Sequence, residues 1–142
     1  MKLALKKAKE NLQKQEIPVG AVIVINKQVI SCCNNLTIHK NDPTAHAEIL
    51  AIRHACSLLE TTMLNNCDMY VTLEPCAMCS QAISLSKIRR LYFGAYNKKY
   101  GSIENGARIF QFCHYVPEIY GGFLEKENIK LLKDFFIRLR NL

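Results

Sequence analysis

Cys76 and Cys79 stand three residues apart, directly after Pro75. At that spacing on a helix both sulfurs lie on one face and reach one point in space. A proline at a helix start puts the pair in the first turn. There the helix dipole and unpaired N–H groups favour anions, lower a thiol's pKa and suit thiolate ligation. One C-x-x-C supplies only two ligands, and His46 is the best candidate for a third. A Cys2His set leaves the fourth tetrahedral position to water, the arrangement of a catalytic rather than a structural zinc. Two residues beyond His46 comes Glu48, on the helical stripe of Ile52, Ala55 and Leu59. A carboxylate in the middle of an apolar face loses solvation. Its pKa rises towards neutrality, where it can both take and give a proton.

One geometric condition follows. Residues two apart on a regular helix point about 200° from each other, given 3.6 residues per turn. His46 and Glu48 can therefore share a site only if the metal sits over the helix end, with His46 in or before the first turn. The rest of the chain must supply that end. Asp42 before Pro43 reads as an N-cap with proline in the first turn of a helix over 43–59. Glu74-Pro75 reads as the start of a second helix, running to about Leu85. Ahead of these, residues 2–15 form an amphipathic helix. "VGAVIVI" (19–25), the turn Asn26-Lys27 and "QVISCC" (28–33) form a hairpin. "MYVTL" (69–73), "RRLYFGA" (89–95) and "YVPEIY" (115–120) are further strands, the last marked as an edge or bulge by Pro117. A short helix is expected near 107–112 and a final one over 123–140. The order α-β-β-α-β-α-β-(α)-β-α is that of one mixed sheet with helices on both faces.

Composition sets the frame. A chain of 142 residues, 49% hydrophobic and 22% charged, is one globular domain by size and balance. No apolar run approaches the roughly 20 residues of a membrane span. The lysine-broken N-terminus has no signal-peptide core, so a cytoplasmic protein is expected. Seven cysteines, an odd number without an export signal, argue for reduced thiols or a metal site rather than a disulfide framework. The net charge of +7 fits a polyanionic partner. His39, His54 and His114 have no ligand spacing, Cys113-His114 is a lesser metal candidate, and Cys56 and Cys67 read as small buried hydrophobes. A redox role for the C-x-x-C does not account for the upstream His-x-Glu.

The combination His46-Ala47-Glu48 with Pro75-Cys76-Ala77-Met78-Cys79 matches the H-x-E…P-C-x-x-C signature of zinc nucleoside and nucleobase deaminases. The longer phrases "IPVGAVIV", "DPTAHAEILAIRHA", "YVTLEPCAMC" and "DFFIRLR" resemble the bacterial tRNA adenosine deaminases within that superfamily. The resemblance runs from about residue 3 to the C-terminus and is strongest over 16–95. It implies a single domain over 1–142 with a three-layer α/β/α cytidine deaminase-like fold and a central mixed five-stranded sheet. It also implies a homodimer with active sites near the interface. The implied reaction converts the wobble adenosine of a tRNA anticodon stem-loop to inosine, with one Zn2+ per chain on His46, Cys76 and Cys79 and with Glu48 carrying the protons.

By position, Asn35 matches the asparagine that hydrogen-bonds the extruded base, and Val19, Ala47 and Leu73 would wall the pocket. Phe136 and Arg140 match positions near the anticodon loop, where a ring and a cation suit unstacked bases and phosphates. At Asn97 the family commonly has an aspartate that reaches the sugar. An amide still bonds a 2′-hydroxyl, without the strength of a carboxylate. "SIENGARIFQFCHYVP" also departs from the family text. Two other functions compete: a zinc deaminase of free bases or nucleosides, of guanine or cytosine type, and a non-catalytic zinc subunit that binds tRNA. The basic charge and "DFFIRLR" disfavour the first, and Glu48 disfavours the second.

Overall fold

The structure is a computed structural model describing residues 1–142. Its elements are α1 (Lys2–Lys9), a 3-10 turn (Glu10–Gln13), β1 (Gly20–Ile25), β2 (Gln28–Asn34), α2 (Ala47–Leu59), β3 (Cys67–Leu73) and α3 (Ala77–Leu85). They continue with β4 (Arg90–Ala95), a second 3-10 turn (Ile109–Phe112), β5 (Glu118–Tyr120) and α4 (Glu125–Arg140). All five strands form one sheet in the order β2-β1-β3-β4-β5. The first two pairings are antiparallel, and β3–β4 and β4–β5 are parallel. This is the expected mixed sheet in three layers. Asn26 and Lys27 both take positive φ, 47° and 62°, as a tight two-residue hairpin turn requires.

The two faces are covered differently. Ala21 and Ile23 of β1, Met69 and Val71 of β3, and Leu91 and Phe93 of β4 meet Ala51, Ala55 and Ile83 of α2 and α3 in the main core. Small side chains on α2 let its axis lie close to the sheet. On the opposite face α1 and α4 pack through Leu5, Ala8 and Leu131. Their close approach depends on two glycines. A Cβ on Gly20 would collide with the Ala4 carbonyl, and one on Gly94 with the Asn128 side chain.

Several element boundaries differ from the sequence reading, each for a local reason. The helix expected from 43 begins at Ala47. Asp42 closes a turn instead of capping a helix: its Oδ1 accepts the Thr44 N–H at 2.9 Å and the Thr44 hydroxyl at 2.7 Å, and its carbonyl accepts the Ala45 N–H at 3.1 Å. α3 begins at Ala77 rather than at Glu74-Pro75. The last strand shortens from 115–120 to Glu118–Tyr120, just beyond Pro117. The first helix ends at Lys9 and tightens into its 3-10 turn, and α4 starts at Glu125. The buried stripe of α2 is Ala47, Glu48, Ala51 and Ala55, with Leu59 at its end 36% exposed.

Candidate active site

Two helix starts face one another. His46 is the N-cap of α2 (φ −69°, ψ 152°) and Cys76 the N-cap of α3 (φ −73°, ψ 175°). Neither side chain makes a capping bond to its helix, and the two meet in the gap between the helix ends. Cys79 completes the set from the first turn of α3. The ligand atoms of the three residues all lie within 4.8 Å of one another. His46 Nδ1 is 3.6 Å from Cys76 Sγ and 3.5 Å from Cys79 Sγ. Zinc–sulfur bonds of about 2.3 Å and a zinc–nitrogen bond of about 2.05 Å at tetrahedral angles give an S···N edge of about 3.5–3.6 Å. Both His46–sulfur distances fit a shared zinc ion. The condition set by the helical wheel is met, because His46 lies before the first turn.

The electrostatics suit thiolate ligands. Cys76 is pushed down to about 4 by a hydrogen bond from Cys79 and another from His46, against burial. Cys79 moves up, through its bond to Cys76 and through burial. His46 is raised, chiefly by its hydrogen bond to Cys76. Glu48, on the same helix end, is only 4% exposed. Burial lifts its carboxyl to about 7, and its own backbone N–H, His46 and the Cys79 thiol offset only part of the rise. A carboxyl at that value holds or gives up a proton at neutral pH with little bias.

The family model of the cytidine and deoxycytidylate deaminase zinc-binding region matches residues 1–95. The chain belongs to this deaminase family. Among curated relatives, the tRNA-specific adenosine deaminase of Rickettsia felis is 47% identical over 99% of this chain and 100% of its own. That of Agrobacterium fabrum is 47% identical over 96% and 91%, and that of Bacillus subtilis 41% over 99% and 88%. A solved structure described as belonging to studies of A-to-I editing by tRNA:A34 deaminases superposes with a TM-score of 0.91 at 47% identity, covering 93% of this chain and 97% of that one. A guanine deaminase from Nitrosomonas europaea shares the fold, with a TM-score of 0.80 at 21% identity over 93% and 80% of the two chains.

Around the deaminase cluster, the remaining sequence-read residues form two groups, with Asn97 apart from both. Val19, Ala47 and Leu73 join one apolar cluster. Asn35 is buried beside it. Its N–H donates to the Val19 carbonyl at 3.0 Å, and the next N–H, of Leu36, donates to Ala45 at 3.0 Å, which holds this strand end against His46. Asn35 Nδ2 donates to Glu16 and to Thr37 Oγ1, both at 3.1 Å. Its Oδ1 accepts no hydrogen bond within the chain and is left as the available acceptor. Phe136 and Arg140 form the second group. They are exposed on α4, in the layer across the sheet from the metal ligands, near a cleft of about 370 Å3 between Leu12, Phe135 and Arg138. They do not join the cluster. Asn97 is half-buried, and its Oδ1 accepts the Tyr100 N–H at 3.0 Å, so its carbonyl is committed to its own turn. Cys113 donates to Gln81 at 3.1 Å and takes no part in the metal set.

Sequence reasoning missed two buried carboxylates. Glu16, fully buried, accepts from Asn35 and from the His39 N–H at 2.6 Å. Glu74, 1% exposed, was legible only as part of a helix-opening Glu-Pro pair, yet it holds the loop after β4. Its one signal was a carboxylate placed directly after the apolar run "MYVTL".

Proposed function

We propose that this deaminase hydrolyses the wobble adenosine of a tRNA anticodon to inosine and releases ammonia. The observation that carries the reading is Glu48, buried at the same helix end as a three-ligand zinc set. It stands in a chain that aligns almost end to end with tRNA-specific adenosine deaminases. A zinc ion held by His46, Cys76 and Cys79 supplies Lewis acidity, which brings the acidity of water into the neutral range. Glu48 takes the proton that water gives up on adding to C6. It passes that proton to the ring nitrogen, then takes the proton of the new C6 hydroxyl and gives it to the amino group, so that the C–N bond breaks, ammonia leaves and the C6 carbonyl forms. Asn35 offers Oδ1 to a donor on the base, while Val19, Ala47 and Leu73 keep bulk water from its faces. The N–H groups at the start of α3 favour negative charge developing at the same end.

The whole of 1–142 acts as one deaminase domain, a reading supported by a main core that runs from Val19 to Phe110. It works as a homodimer. Leu85 (68% exposed) and Phe112 (79%) lie on adjoining elements, joined by the Cys113–Gln81 bond and by Ser84 bonding the Tyr115 carbonyl. An apolar patch of that kind, beside the helix that carries Cys76 and Cys79, suits a second copy. A cytoplasmic setting follows from the tRNA substrate implied by the tRNA-specific relatives. No helix is long and apolar enough to cross a membrane.

The decisive experiment offers the protein a wobble-adenosine RNA stem-loop, its DNA counterpart, and free guanine and cytosine, and measures inosine and ammonia. Inosine from the RNA stem-loop alone is expected. Ammonia from a free base, with none from the stem-loop, overturns the reading.

A further inference from the structure

Glu74 lies in the turn between β3 and α3, two residues before Cys76, and no metal ligand touches it. Its carboxylate is a hub for the loop that follows β4. Oε1 accepts the Asn97 N–H at 3.1 Å and Asn105 Nδ2 at 2.6 Å. Oε2 accepts three successive backbone N–H groups, from Ile103 (3.1 Å), Glu104 (3.0 Å) and Asn105 (3.1 Å). Successive N–H groups converging on one oxygen make an anion-binding nest, and here the anion is the protein's own side chain. Gly101 completes the clasp: a Cβ there would sit 2.6 Å from the Glu74 carboxyl carbon.

Ser102 adds a second tie to the same turn. Its N–H and hydroxyl both donate to the Pro75 carbonyl, at 3.0 and 3.2 Å, and its hydroxyl pairs with Ser80 at 2.8 Å. Residues 97–105 are thus fastened to the very turn that carries Cys76 and Cys79. The outer side of this loop presents half-buried Asn97 and exposed Lys98, Lys99 and Tyr100. A loop held by five bonds to one carboxylate cannot shift relative to the metal ligands without breaking bonds whose donors are buried or part-buried.

We propose that Glu74 is a positioning residue for the substrate. It fixes loop 97–105 as a wall of the deamination site, in register with the Cys76–Cys79 turn. The inference rests on the function proposed above. Glu74 acts through the loop, so its removal affects how substrate is held, and leaves metal retention and proton transfer by Glu48 in place.

The test compares Glu74→Gln and Asn105→Ala with wild type as zinc-loaded full-length chains. It reads zinc content, kcat and KM on the wobble-adenosine stem-loop, and hydrogen exchange of backbone amides. Glu74→Gln is expected to keep its zinc and kcat within about threefold while KM rises at least about tenfold. The amides of Asn97, Ile103, Glu104 and Asn105 should lose protection while those of α2 keep theirs. Asn105→Ala, which removes one of the five bonds, should show the same split at about threefold in KM.

A folded, zinc-loaded Glu74→Gln with wild-type KM overturns the proposal, as does lost zinc or a fall in kcat at constant KM. Should that variant fail to fold, an unchanged KM in Asn105→Ala overturns it. A wild-type protein inactive on the stem-loop overturns the function reading itself, and the substrate role of Glu74 falls with it.

Discussion

Glu48 and Glu74 stand beside the same pair of helix starts, each less than 5% exposed, and are held in opposite states. Burial acts on both in the same direction, against the charged form. At Glu48 it prevails: the donors in reach are few and the carboxyl rises to about 7. At Glu74 burial also pushes upward, but hydrogen bonds from Asn105, Asn97 and Ile103 outweigh it and hold the carboxyl below its ordinary value. Deep burial with few donors at Glu48, and a full set of donors at Glu74, therefore decide which carboxylate can move protons and which is a fixed anion. The first belongs at the reacting atoms, the second beneath a loop.

The strongest way to break this contrast is at Glu48. Replacing it with Gln keeps size and fold but removes the proton carrier. Single-turnover inosine formation should fall by about 10²–10⁴-fold, the range for a lost general acid–base. Zinc should stay near one per chain by metal analysis, since none of the three ligands changes. Ammonia release at the wild-type rate from this variant would take Glu48 out of the mechanism. An active protein stripped of metal would do the same for the zinc set.

Stability against pH separates the two residues by sign. In chelator-treated protein, folded Glu48 keeps a proton between its ordinary 4.5 and about 7 that the unfolded chain has lost. Stability then falls as pH rises through that window, and the full penalty, on the order of 3 kcal/mol, is present above it. Glu48→Gln should therefore be more stable than wild type at pH 8 in urea denaturation and similar to it near pH 4.5. Glu74 runs the other way. Its folded pKa is lowered, so its contribution is complete above the ordinary carboxylate value and is lost as pH falls through the folded one. Glu74→Gln should be less stable than wild type at pH 8, with the gap closing in acid. Two curves of the same sign would dissolve the comparison.

These two residues also mark what the sequence discloses. Glu48 was legible because its burden is local: a charge on an apolar stripe, two residues from a metal-type histidine, needs a reason. The same holds for Cys76 and Cys79, whose spacing and helix start are read directly. Even the misplaced start of α2 left the inference intact. Asp42-Pro43 serves a turn as well as a cap, yet His46 still ended up ahead of the first turn. Glu74 was not legible because its partners are main-chain N–H groups some 30 residues downstream, and every residue but proline carries one. Glu16 hides the same way behind the His39 N–H. Asn97 could be placed by position, but its side-chain oxygen is taken by the Tyr100 N–H, a choice made by the loop. The strand count followed from short apolar runs bounded by turn residues, and the mixed sheet from the order of helices and strands. The short β5 did not, because Pro117 fits either an edge strand or the residue before one.

The smallest effect is expected farthest from the two glutamates, on α4. Arg138 and Arg140 are exposed in its last turn, across the sheet from the cluster. Reversing both to Glu touches neither carboxylate, so zinc content and both pH signatures should stay as in wild type. If this helix end meets anticodon phosphates, stem-loop affinity should drop about tenfold at moderate salt. The slope of log K against log salt should also flatten by up to about 1.8, near 0.9 for each lost phosphate contact. Unchanged affinity and slope would remove α4 from the RNA surface and leave recognition to the loops that Glu16 and Glu74 hold. A change in the Glu48 signature would instead show that the two layers are coupled through the sheet.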